Sequence, residues 1–175
     1  MKAKLSIAAT GHRPERLAPK EICYSRQVRE RLRSLARNYL IRAEPDEGVS
    51  GLALGWDIGF SLACIDLTIP LIAAVPFKGQ ENYWSTEDQD LYNSILKQAK
   101  EVHIISKGGY SPAKMQTRNI WMADRVSRFA ALWDGEKAGG TYNCLQYAES
   151  KGVAYNNLWN SWVKYSGVAL NATTT

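Results

Sequence analysis

The sequence predicts an α/β fold: a Rossmann-like, open and mainly parallel sheet of five to six strands, flanked by helices on both faces. Short apolar runs of strand length alternate with longer segments of helical periodicity, which is the pattern of parallel strands joined by crossover helices. Glycine-rich or polar turns follow three of the apolar runs, at Gly11-His12-Arg13-Pro14, at Ser50-Gly51-Leu52-Ala53-Leu54-Gly55-Trp56-Asp57, and at Asp134-Gly135 with Gly139-Gly140-Thr141. In open α/β sheets ligands bind outside the carboxyl ends of the strands, where the strand order reverses. These three strand ends are therefore expected to share one crevice.

Residues 4–10 read as a short buried strand, and the chain must turn where Pro14 disfavours a helical predecessor. Residues 20–42 place Val28, Leu32, Leu35, Ala36, Tyr39 and Leu40 at the spacing of an amphipathic helix. A second strand covers residues 47–50 and a helix residues 56–67. The apolar run 69–75 is a third strand, ended by Pro76-Phe77. Ser85, with Asp88 three residues on, marks the next helix start, and Leu91, Tyr92, Ile95, Leu96 and Ala99 supply its buried face. Residues 101–106 form a fourth strand, broken by Gly108-Gly109. Ser111-Pro112 opens a helix that reaches Asp124, with proline where its missing N–H costs little. A fifth strand (128–133), a helix (141–151) and an edge strand within 153–159 complete one domain over residues 1–160. Residues 161–175 are read as a tail, small and polar from 166 onward and dispensable for the core.

With 175 residues, 45% of them hydrophobic, the chain can bury a core of its own. It has no long apolar run and no signal-like start, so a cytoplasmic protein without membrane contact is expected. Cys23, Cys64 and Cys144 lie far apart in apolar helical contexts and read as buried free thiols. With two histidines and scattered cysteines, no metal site is expected. The formal charge of +5 is concentrated in residues 20–42, where seven basic residues face two acidic ones. A solvated helix face is the first reading of that stretch, and a nucleic-acid surface the second. Apolar surface on the 112–124 helix offers a contact for a homo-oligomer.

The glycines at 51 and 55 allow backbone N–H groups of Leu52 and Ala53 to approach an anion, with the Ser50 hydroxyl beside them and a helix N-terminus behind. Asp57 either complements that helix dipole, accepts from a ribose, or orients Arg13. Arg13 offers a forked donor array to a phosphate or pairs with a carboxylate. His12, following Thr10 and Gly11, is an acid/base, a phosphate donor or a loop anchor. Arg118 and Asn119 either reach the ligand or tie helix to loop. Phe77, next to Pro76, as well as Tyr83 and Trp84, can stack on a base or fill the core. Asp134, Gly139, Gly140 and Thr141 complete the candidate set, Thr141 as helix cap or phosphate contact.

Taken in order, Thr10-Gly11-His12-Arg13-Pro14, Ser50 through Asp57, Pro76-Phe77, Arg118-Asn119-Ile120-Trp121-Met122 and Trp133-Asp134-Gly135 through Gly140-Thr141 resemble the SLOG superfamily. The resemblance spans residues 4–158. It points to the YpsA-like branch, which includes phage-encoded members, with the DNA-processing protein DprA/Smf as a more distant relative. It implies a Rossmann-like domain that binds a nucleotide or a nucleotide-derived ligand, ADP-ribose-like or a mononucleotide, and no further cofactor. The superfamily's phosphoribohydrolases carry Pro-Gly-Gly-x-Gly-Thr-x-x-Glu, whose glutamate serves the chemistry at the ribose. Here the residue three positions after Thr141 is Cys144.

The resemblance leads first to a protein that senses or sequesters a small nucleotide. An enzyme acting on an N-glycosidic or phosphoester bond is the alternative, with His12, Asp57 and Glu81 as candidate acid/base groups. Single-stranded DNA binding, as in DprA, is the third reading. It asks for stacking platforms on the basic helix, which offers Tyr24 and Tyr39.

Overall fold

A computed structural model of the chain describes residues 2–165. Six strands form one sheet in the order β4-β3-β2-β1-β5-β6, and every adjacent pair is parallel. The strands are β1 (Ser6–Gly11), β2 (Glu47–Ser50), β3 (Leu71–Phe77), β4 (Glu101–Ser106), β5 (Arg128–Leu132) and β6 (Ala154–Asn157). Between them run α1 (Arg26–Ala43), α2 (Trp56–Asp66), α3 (Thr86–Gln98), α4 (Pro112–Ala123), α5 (Gly139–Ser150) and α6 (Trp159–Tyr165). A single turn of 3-10 helix, Pro14–Arg16, follows β1. The order reverses between β1 and β5, so the crevice expected of such a sheet opens at their carboxyl ends.

Alternate residues of the strands feed opposite layers, as the two-residue period of a strand requires. Ile7, Ala9, Ala73, Val75 and Leu132 join the helices α1, α2, α3 and α6 on one face, with Leu32, Trp56 and Phe60 fully buried among them. Ala8, Val49, Ile72, Ala74 and Phe129 join α4 and α5 on the other, around Met122 and Leu145. The small residues of the central strands let both helical layers approach closely. Cys23, Cys64 and Cys144 are free and buried.

Serine caps fix three helix starts: Ser25, Ser85 and Ser111 each accept the N–H three residues on, from Val28, Asp88 and Lys114. On α1, Val28, Leu32, Ala36, Tyr39 and Leu40 are buried as the periodicity requires. Its opposite face is tied to its neighbours. Arg29 pairs with Glu87 and Asp88, Arg33 grips both carboxylate oxygens of Asp66, and Arg37 lies 3.6 Å from that carboxylate.

Three expectations need correction. Pro76 lies inside β3 rather than beyond its end; β2 stops at Ser50, which pairs with Ala73, so past that point β3 has no β2 neighbour to miss a proline N–H. Residues 159–165 form a helix rather than the end of an edge strand and a tail. Trp162 is buried and its indole N–H donates to the Leu17 carbonyl at 3.0 Å, so the packed unit extends past residue 160. The expected tail from 166 onward lies outside the described residues. Finally, α4 contributes none of the large exposed hydrophobic residues. On β4, by contrast, Val102 and Ile104 point out to solvent at the sheet edge. Among the described residues no helix is long and apolar enough to cross a membrane.

Candidate ligand-binding site

A cavity of about 570 Å³ opens at the carboxyl ends of β1 and β5, within the size range of small-molecule sites. The β1 end supplies Thr10 through Arg13, the entry to α2 supplies Ala53 and Asp57, one face of α4 supplies Met115, Arg118 and Asn119, and the start of α5 supplies Gly139, Gly140 and Thr141. Thus the crevice gathers residues from turns separated by more than a hundred positions in sequence.

At its floor sit a buried cation and a buried acid. Arg118 is 5% exposed; its Nε donates to Asn119 Oδ1 at 3.0 Å, while Nη1 has no partner. Asp57 is 4% exposed; its Oδ2 accepts the Ala53 N–H at 3.3 Å, and Oδ1 has no partner. Burial pushes the Asp57 carboxyl up to about 6 against the pull of Arg118 and the Ala53 N–H. Burial also draws the Arg118 guanidinium below its ordinary value, with Asp57 opposing. Buried polar atoms are satisfied in the great majority of proteins, so two unpartnered buried atoms on neighbouring residues that line one cavity are unusual.

The α5 start adds a second source of positive potential. Ala138 provides no side-chain cap, and a Cβ built on Gly139 or Gly140 would meet open space. The first-turn N–H groups of this twelve-residue helix therefore face the cavity uncovered. Arg13, exposed at the rim, makes no ion pair among the described residues.

His12 is tied into the β5–α5 loop. Its Nε2 lies 3.2 Å from the Asp134 N–H and 3.0 Å from Asp134 Oδ1, and its ring meets Trp159 edge-on. Burial lowers its pKa against the influence of Asp134, which favours a neutral ring whose Nε2 accepts the N–H. Asp134 is held near 2: burial would raise it, but the Glu136 N–H and Arg16 outweigh that effect. Arg16 bridges the two loops, bonding Asp134 at 2.5 Å and also Glu136.

Of the residues expected to contact a ligand, the cavity lining contains Thr10, Gly11, His12, Arg13, Ala53, Asp57, Arg118, Asn119, Gly139, Gly140 and Thr141. The segment 50–55 has a different role from the cradle expected of it. The Leu52 N–H donates to Ser50 Oγ at 3.1 Å and the Ala53 N–H to Asp57, so both donors are already engaged. A Cβ on Gly51 would lie 1.6 Å from Arg118 Nη1, and one on Gly55 would lie 2.6 Å from the His12 carbonyl. Gly51 makes room for the guanidinium, and Gly55, at φ +95°, lets two loops touch backbone to backbone. Pro76 and Phe77 are in the strand and outside the lining, as are Ser50, Leu52, Asp134 and Glu81. Trp84 packs edge-on against Tyr92, and Tyr83 is fully exposed away from the cavity. Cys144, where the phosphoribohydrolase signature has glutamate, is wholly buried, with its thiol pushed up to about 11 by burial.

Sequence reasoning missed Arg16, Tyr110, Met115, Gln116 and Asn143 in the lining. The helical spacing of Pro112, Met115, Asn119 and Met122 on the face that also carries Arg118 is the signal that would have found the α4 wall. Among the described residues no cluster of three or more histidine, cysteine or acidic side chains could hold a metal ion.

The SPbeta prophage-derived protein YoqJ of Bacillus subtilis (strain 168) is 29% identical to this chain over 150 residues, covering 76% of this chain and 86% of YoqJ. A UPF0398 protein of Bacillus thuringiensis (strain Al Hakam) is 24% identical over 166 residues, covering 86% of this chain and 85% of the relative. Among solved structures, DNA processing protein A from Streptococcus pneumoniae superposes with a TM-score of 0.62 at 16% identity, over 97% of this chain and 57% of that one. DNA processing protein A from Helicobacter pylori, described for its single-stranded DNA binding mode, gives 0.55 at 18% identity, over 86% of this chain and 63% of that one. The chain thus spans somewhat over half the length of these structures, and the likeness is one of fold. The profile of the YspA SLOG family matches residues 61–159, which include the α4 and α5 walls of the cavity, and the chain belongs to that family.

Proposed function

We propose that the cavity binds a nucleotide or nucleotide-derived anion and that the protein senses or sequesters it. The observation that carries this reading is the pair of unpartnered atoms, Arg118 Nη1 and Asp57 Oδ1, on two buried residues that line one cavity. A phosphate between Arg118 and the α5 N-terminus meets a buried cation and uncovered N–H groups. A ribose hydroxyl donating to Asp57 satisfies the acid. Arg13 closes the rim with a further charge.

The test is titration calorimetry with adenine and guanine nucleotides, preceded by native mass spectrometry for a copurified ligand. Hydrogen bonds to charged groups contribute on the order of 1.5–3 kcal/mol, so Arg118→Ala is expected to weaken binding at least roughly 10- to 150-fold. Unchanged affinity in folded Arg118→Ala protein overturns the assignment. Chromatography of the same mixtures detects turnover, which would favour the hydrolase alternative, with Asp57 and His12 as the candidate acid/base groups that line the cavity.

Single-stranded DNA binding is a second reading, supported by the fold shared with the DNA processing proteins. The pairing of Arg29, Arg33 and Arg37 with acidic neighbours weighs against α1 as its surface. An oligothymidylate titrated in the same cell is expected to bind more weakly than a mononucleotide. The reverse order would move this reading to first place.

A further inference from the structure

The α4 wall of the cavity is graded. Its inner part carries the buried Arg118, and its outer part carries Met115 and Pro112, with Tyr110 immediately before the helix. At 1.5 Å per residue, Pro112 and Arg118 are separated by about 9 Å along the axis, a span on the scale of a nucleoside from base to 5′-phosphate. Tyr110 is 66% exposed and is one of the residues that line the cavity, so most of its surface is open to a ligand there. It meets the buried ring of Phe77 edge-on, with centroids 6.1 Å apart. A T-shaped contact engages at most one face of the tyrosine ring, which leaves the other for a planar group. The chain on either side of Tyr110 is also anchored. Ser111 caps α4 through the Lys114 N–H, and Lys114 Nζ donates to the Gly109 carbonyl at 2.6 Å, so both neighbours of Tyr110 are anchored. Met115 adds a polarizable thioether to the same end of the wall.

We propose that Tyr110 is the stacking platform for a base, and that the site therefore takes base-bearing nucleotides in preference to sugar phosphates or inorganic phosphate. The inference rests on the reading of Arg118 as the phosphate contact. The other aromatic candidates do not compete for the role: Phe77 and Trp84 are used in packing, and Tyr83 lies outside the lining.

The experiment compares wild type, Tyr110→Leu and Tyr110→Phe by calorimetry against AMP, GMP and ribose 5-phosphate, with ethenoadenosine monophosphate as a fluorescent probe. Base–aromatic stacking predicts that Tyr110→Leu weakens AMP or GMP binding roughly 5- to 150-fold. It should leave ribose 5-phosphate affinity within about twofold and abolish quenching of the probe, while Tyr110→Phe restores both affinity and quenching. Because the side chain is exposed, these variants should fold. Equal losses for AMP and ribose 5-phosphate, or undiminished AMP binding and quenching in Tyr110→Leu, would overturn the stacking role while leaving the nucleotide reading intact. If wild-type protein binds ribose 5-phosphate as tightly as either nucleotide, the preference for a base is wrong. Failure of every probe to bind wild type would overturn the nucleotide reading itself, and the inference with it.

Discussion

Gly51 and Gly55 lie on one loop but answer to different neighbours, so substituting them should separate binding from folding. The atom a Cβ at 51 would strike belongs to the end of the Arg118 side chain, which can swing aside. Gly51→Ala is therefore expected to remain folded and to lose nucleotide affinity about as much as Arg118→Ala does. A Cβ at 55 would strike the His12 carbonyl and the Arg13 backbone, which cannot swing aside, at a φ that L-residues avoid. Gly55→Ala should cost stability, on the order of 1–3 kcal/mol from the strained conformation alone. Urea unfolding curves together with calorimetry distinguish the two outcomes. A destabilised Gly51→Ala protein with normal affinity would invert the assignment. Both glycines stand out in the sequence as ligand-cradle residues, and both are required near the site. What the sequence does not contain is the identity of the group each one accommodates, because Arg118 and His12 reach them across the fold.

Among the elements, those with a strong local signal were legible. The helix starts at Ser85 and Ser111, the apolar stripe of α1 and the buried runs of β1 and β3 are each written in a few adjacent residues. The Ser25 cap is not among them: the sequence reading starts that segment at residue 20, whereas α1 begins at Arg26. The short α6 was not legible, because residues 153–159 satisfy a strand pattern and two tryptophans in a seven-residue segment give no decisive period. Its meaning is tertiary: Trp162 fills a space beside Leu17 and spends its N–H on that residue's carbonyl. Trp162→Ala is accordingly expected to destabilise the fold by about 3–5 kcal/mol, the usual cost of emptying a buried aromatic position. Thermal and denaturant unfolding of that variant provide the check, and a loss below about 1 kcal/mol would return α6 to the status of a dispensable tail. The site has the same division. Its glycine-rich strand ends are visible in the sequence. Arg16 is not, since the acids it joins lie 118 and 120 positions away.

For the molecule as a whole, Asp57 sets a pH dependence. Its carboxyl binds a proton more tightly in the folded state, about 6 against a reference of 3.8, so the native state holds more protons than the unfolded state between those values. Stability attributable to this group is then full at low pH and falls as pH rises from about 4 to 6. The shift corresponds to about 3 kcal/mol. Asp57→Asn removes the titration, and its stability relative to wild type is expected to improve by about that amount between pH 4 and pH 7.5. Urea unfolding at the two values tests this, and a difference independent of pH would show that the acid is not desolvated. Bound ligand that donates to Oδ1 should reduce the contrast, since a donor favours the ionised form.

The outward-facing Val102 and Ile104 carry a consequence for the protein at high concentration. As an end strand, β4 has no strand partner along its outer side among the described residues, and those two side chains add apolar surface at the same margin. Such a margin templates the addition of further strands, and flanking charge is what discourages it. Here Glu101 and Lys107 provide that charge, with the His103 ring 2.9 Å from Glu101 on the strand itself. Self-association on crowding would therefore begin at β4 and would be governed by the protection of that edge.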